Sequence, residues 1–96
     1  MPTPVVVYYQ IFLEIPTAFS LKDKRGFLKG PLERIRKKLN IAIIEAAEQD
    51  TWNRATLAGV TVGTSESVIN KTFRLVLKEL EESAGLVVKD WTEERL

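Results

Sequence analysis

The chain has 96 residues, 45% of them hydrophobic, and a formal net charge of +1. That length leaves room for a single domain over residues 1–96, stabilised by one compact core. The absence of cysteine and histidine excludes a disulfide framework, any thiolate metal site and the commonest general base, so neither a metal nor a cofactor is expected.

Val5, Val7, Tyr9, Ile11, Leu13 and Ile15 alternate with Val6, Tyr8, Gln10, Phe12 and Glu14 up to Pro16. This period of two predicts the first strand, with one wholly apolar face for helices to cover and one mixed face left more open. The same stretch is too short to span a bilayer, is interrupted by Gln10 and Glu14, and lacks a basic leader or a small-residue cleavage site. A soluble cytoplasmic protein with no membrane partner is expected.

Ser20 is a good N-cap, and Asp23 three residues on mimics the acidic member of a capping box, so a helix should begin at Leu21. Leu21, Leu28, Leu32, Ile35 and Leu39 fall within about 60° of one line on a helical wheel and form its core stripe. Gly30-Pro31 interrupts this stripe without changing its phase, which predicts a kink rather than a break. Two further strands are predicted over Ile41–Glu48 and Ala55–Val62, joined as a hairpin through the polar segment Gln49 to Arg54. Thr64 or Ser65 caps a second helix carrying Val68, Ile69, Phe73, Val76, Leu77 and Leu80, closed by Gly85 in the C′ position. Leu86 to Thr92 is the last strand, and the charged tail Glu93-Glu94-Arg95 is expected to fray.

The element order is therefore βαββαβ. Right-handed crossovers in both β-α-β units give an antiparallel sheet of order 4-1-3-2 with both helices on one face, the ferredoxin-like α+β two-layer sandwich. In that topology the polar stretches Ser20 to Arg25 and Gln49 to Arg54 lie at the same end.

That end combines the free amides and positive dipole of a helix N-terminus with Lys22, Lys24 and Arg25, and with Trp52 and Arg54 from the hairpin. Two readings stay open. It suits an anion, or it is a latch without a ligand, in which Ser20 and Asp23 cap the helix, Asp50 pairs with Arg54, Asp23 pairs with a nearby lysine, and Gln49 and Trp52 close the hairpin over the sheet edge. Residues 20–40 hold eight Lys or Arg against Asp23 and Glu33, a local charge of +6 that leaves the remainder at −5. Within this region Lys22, Arg25, Lys29 and Arg36 line one flank of the first helix, with Lys37 and Lys38 near its end. Such a flank is either a solvated helix face or a surface for phosphates, read by shape in structured RNA or on a ribosomal subunit. An RRM-like stacking mode wants aromatics on both central strands. Tyr8 and Phe12 supply one, but Ala55–Val62 has none.

Tyr8 and Phe12 on a half-open sheet instead mark a candidate homodimer face. A small-anion sensor at the first helix N-terminus is a third reading. Catalysis is not expected, because the hydroxyls of Ser20 and Thr51 have no adjacent base and the loop Pro16 to Phe19 lacks the arginine that acylphosphatase-like phosphate chemistry on this fold would need.

Ser20-Leu21-Lys22-Asp23-Lys24-Arg25, followed at a helix and strand's distance by Gln49-Asp50-Thr51-Trp52-Asn53-Arg54-Ala55-Thr56-Leu57, resembles the YlxP-like family of small bacterial proteins of unknown function. The strand closing on Ile15-Pro16 also fits, while Gly30-Pro31 and the lack of a histidine near Gln49 depart from the pattern. The resemblance implies a ferredoxin-like fold, a bacterial cytoplasmic protein, and no established activity. It also implies genes commonly placed near those for translation initiation and ribosome maturation, which points toward RNA or the ribosome by association alone.

Overall fold

The computed structural model describes residues 3–96. The elements run β1 (Val5–Glu14), α1 (Leu21–Lys38), β2 (Ala42–Ala47), β3 (Arg54–Gly63), α2 (Glu66–Glu82) and β4 (Val87–Arg95). The four strands form one antiparallel sheet of order β2-β3-β1-β4. This is the ferredoxin-like arrangement expected from the periodicity, read from the opposite edge.

β1 is central because both of its edges are paired, to β3 and to β4. Its alternation divides the sheet: Val5, Val7, Tyr9, Ile11 and Leu13 are buried under the helices, while Val6, Tyr8, Gln10, Phe12 and Glu14 are half-buried on the other face. Leu28, Leu32 and Ile35 of α1 and Ile69, Phe73, Val76 and Leu80 of α2 pack against them, and Ile43 of β2 with Ala55 and Leu57 of β3 extend the same core. Of the apolar residues expected on the helix stripes, Leu21, Leu39 and Leu77 are only half-buried, the last two still packed against the core, and Val68 is exposed.

Helix α1 runs through Pro31 without a break, and the proline itself is buried. The lost amide hydrogen bond is tolerated because apolar residues on both sides of it are packed into the same core. β2 is shorter than its apolar run. Ile41 N–H donates to Leu39 O at 2.9 Å, forming a tight turn before the strand. At the other end Glu48 adopts a left-handed φ of 60° and turns the chain out of it.

At the end of α2, Ser83 is the C-cap, so Gly85 lies one residue beyond the expected C′ position. It is still required to be glycine: its φ is +82°, and a Cβ there would meet the Phe27 ring at 2.4 Å. The tail expected to fray is instead strand. Glu93, Glu94 and Arg95 pair with Tyr9, Tyr8 and Val7, and Leu96 N–H donates to Val6 O at 2.8 Å. The long central β1 offers backbone partners over its whole length, which propensity along the tail alone does not reveal.

Tyr9 is wholly buried and stacks on Phe73 with ring centroids 3.8 Å apart, and Trp91 meets the same ring edge-on. The Tyr9 hydroxyl has no hydrogen-bond partner. Burial, and secondarily the nearby Glu93 carboxylate, raise its pKa. Stability is thus full below the unfolded tyrosine value of about 10 and falls as pH rises toward the higher folded value. Tyr9→Phe should remove that alkaline loss and raise stability at neutral pH by about 1 kcal/mol, because it deletes a buried group without a partner. Urea midpoints measured at neutral pH and above pH 10 check both effects; a lower midpoint at neutral pH would show that the hydroxyl is satisfied in solution.

Candidate functional site

The two polar stretches do meet, and the residue that joins them is Lys24. Its side chain is 1% exposed. The ammonium donates to Glu48 O at 2.8 Å and to Arg54 O at 3.2 Å, and pairs with Glu45 Oε2 at 2.7 Å. The first turn of α1 is thereby tied to both ends of the β2–β3 turn. Ile15 N–H, donating to Asn53 O at 2.8 Å, joins the β1–α1 loop to the same turn. A buried ammonium is tolerable only with a counter-charge and filled donors, and all three partners are oxygens supplied by the hairpin.

Lys24 therefore belongs to the latch, not with the exposed cations. A sequence signal for this existed: at about 100° per residue Lys24 lies only about 20° from Ile35 on the wheel, inside the apolar stripe. Glu45, the counter-ion, gave no such signal.

The remaining latch residues divide. Ser20 Oγ accepts from Asp23 N–H at 3.0 Å, and Asp23 Oδ2 accepts from Phe19 N–H at 3.0 Å, a reciprocal cap in place of the expected Asp23–lysine pair. The negative charge favoured by the helix dipole is thus supplied by Asp23 itself. Gln49 Nε2 donates to Glu45 O at 3.2 Å. Arg54 lies 3.8 Å from Glu48 and not against Asp50, which is exposed. Glu48 wins because its left-handed backbone brings it back toward the start of β3. Trp52 stands at the turn with about half of its surface covered, at 49% exposure.

The basic flank divides too. Lys22, Arg25, Lys29, Lys37 and Lys38 are exposed and make no ion pair among the described residues. Arg36 is engaged: its Nε and Nη2 donate to Ile43 O at 3.1 and 2.8 Å. β2 is an edge strand, and this guanidinium fork covers one of its outward carbonyls while Gln49 covers another. A strand edge with capped acceptors is a poor template for pairing with another chain.

On the opposite side of the sheet, the register aligns Val6, Tyr8, Gln10 and Phe12 with Val62, Val60, Ala58 and Thr56 of β3. Ile44, 59% exposed, lies beside Ala58. Tyr8, Ala42, Ile44, Ala58, Gly59 and Val60 line a shallow apolar depression of about 280 Å³. β4 places Asp90 opposite Phe12 and Glu94 opposite Tyr8. The aromatics of this face are thus flanked by carboxylates, an unfavourable setting for a nucleic acid backbone.

Among the described residues no cluster of three or more carboxylates gathers to hold a metal, and no helix is long and apolar enough to cross a membrane.

Comparison with known proteins agrees with this architecture. The chain is 40% identical over 60 residues to an uncharacterized protein of Bacillus subtilis (strain 168), YlxP. The aligned stretch covers 62% of this chain and 65% of that protein, somewhat under two thirds of the relative's length. A solved de novo designed protein, Foldit4, superposes with a TM-score of 0.55 over 96% of this chain and 97% of its own at 14% identity, a likeness of fold alone. The model of the DUF503 family, described as proteins of unknown function, matches residues 6–92, and the chain belongs to that family.

Proposed function

We propose that this protein is a non-enzymatic accessory factor that binds structured RNA, such as the RNA surface of a ribosomal subunit, through the exposed flank of α1. The observation that carries this reading is the row Lys22, Arg25 and Lys29: three exposed cations, without ion pairs among the described residues, on one flank and within about 10 Å of helix rise. Lys24 and Arg36 contribute to the fold instead, so about three phosphate contacts are available, with Lys37 and Lys38 further along. Such contacts hold a backbone without reading bases.

The test is a titration of purified protein against small-subunit ribosomal RNA and an unrelated structured RNA of equal length, repeated across salt. Three contacts give a log–log salt slope of about −2 to −3. Absence of binding at physiological salt would reduce the flank to a solvated helix face.

A second reading, pairing of two copies through the open sheet, is favoured by the apolar depression and the exposed Ile44, Val60 and Val62. A two-fold axis along the strands would set β2 of one copy over β4 of the other. Tyr8→Asp combined with Phe12→Asp should in that case halve the mass seen in light scattering. A wild-type protein that is monomeric at high concentration removes this reading.

A further inference from the structure

The most exposed large apolar side chain among the described residues is Phe19, at 79%. It occupies the position just before the N-cap of α1, where a hydrophobic residue ordinarily packs onto the fourth residue of the helix. Here the fourth residue is Lys24, whose stem is buried and whose ammonium is held beneath the β2–β3 turn. That packing partner is therefore taken, and Phe19 stands outside.

Trp52, half exposed, stands on the β2–β3 turn, which Ile15 N–H and Lys24 fasten to the loop that carries Phe19. Two aromatic rings are thus presented at one end of the molecule on segments braced against each other. Cations border both, with the carboxylates of Asp23 and Asp50 among them: Lys22 and Arg25 follow Phe19 at the start of α1, and Arg54, largely exposed but 3.8 Å from Glu48, follows Trp52. The aliphatic sheet face offers neither feature, since its aromatics are half-buried and bordered by Asp90 and Glu94.

Flat π faces beside phosphate-binding cations are the chemistry that holds an unpaired nucleobase. Each base stacks on a ring while its flanking phosphates meet the cations. Bases inside a regular duplex are hidden from such rings.

We infer that Phe19 and Trp52 form a stacking site for an unpaired base, so that the RNA bound is one presenting a loop or bulge and not a uniform duplex. This rests on the RNA reading of the α1 flank and names the class of RNA it takes.

The test compares a hairpin RNA having an unpaired loop with a fully paired duplex of equal length, by fluorescence anisotropy across salt. Wild-type protein should prefer the hairpin by about 10- to 100-fold, the range stacking of one base supplies. Phe19→Ala with Trp52→Ala should abolish that preference while leaving the salt slope and the urea midpoint unchanged. Should the midpoint fall, Phe19→Trp with Trp52→Phe keeps both π faces and must keep the preference. In a Trp91→Phe background, Trp52 emission should be quenched by the hairpin and not by the duplex. Equal, salt-dependent binding of both RNAs by wild type and double variant would overturn the stacking site while leaving the basic flank intact. No binding of either RNA would overturn both, and a change in oligomeric mass on substitution without RNA binding would assign the aromatics to a protein contact, overturning the inference.

Discussion

Lys24→Met is expected to lower the free energy of unfolding by about 2 to 4 kcal/mol. Methionine keeps the apolar stem but removes the ammonium that closes the latch, leaving Glu45 without its counter-charge and the carbonyls of Glu48 and Arg54 without their donor. Breaking a fully buried pair from one side costs about 3 to 5 kcal/mol. The lower range applies here because the Glu45 side chain keeps 21% exposure and is partly rehydrated. A small domain with about 5 to 15 kcal/mol in total loses a large share of its stability by this one change. Urea denaturation followed by circular dichroism measures it. Glu45→Leu added to Lys24→Met should restore part of the loss, because the stranded carboxylate is removed with its partner. A midpoint displaced no further than by an ordinary surface substitution, within about 0.5 kcal/mol, would show that the two loops do not depend on Lys24.

Reversing the charge of Lys22, Arg25 and Lys29 to glutamate is expected to weaken RNA binding by at least about 100-fold at physiological salt and to bring the log–log salt slope close to zero. Each lost phosphate contact removes about 0.7 to 0.9 from that slope, and each new carboxylate repels the backbone. None of the three side chains makes a hydrogen bond or ion pair among the described residues, so the urea midpoint should stay within about 0.5 kcal/mol of wild type. Lys24→Met and this triple variant are complementary: one strikes stability, the other affinity. Unchanged affinity in the triple variant would count decisively against the basic flank as an RNA surface.

The contrast between these lysines explains how far the site was legible. Lys22, Lys24 and Arg25 stand within one turn of the same helix and look alike by composition. Helical geometry separates them, since Lys24 falls on the apolar stripe and the other two fall beside it. Its destination still depended on what lay beneath the stripe, and that was settled by the hairpin. Asp50 and Arg54 are spaced for a pair across the turn, yet Arg54 lies near Glu48 because the Glu48 backbone is left-handed, a local conformation that no apolar pattern announces. Phe19 carried no signal either. An exposed phenylalanine and a buried one read the same until the position it would have packed against is seen to be taken by Lys24.

The element order, the strand order and the buried faces of β1, α1 and most of α2 follow from the sequence alone, because periods of 2 and 3.6 are local properties and the handedness of crossovers leaves few ways to combine them. The family is legible in two short motifs at a fixed separation. Only the tertiary structure decided which cations are free, which aromatics are unpacked, and that the tail continues as strand against β1. Those outcomes depend on contacts between segments far apart in the chain, where the partner of a charge, a ring or a backbone amide is set by packing and by the need to fill every buried hydrogen bond.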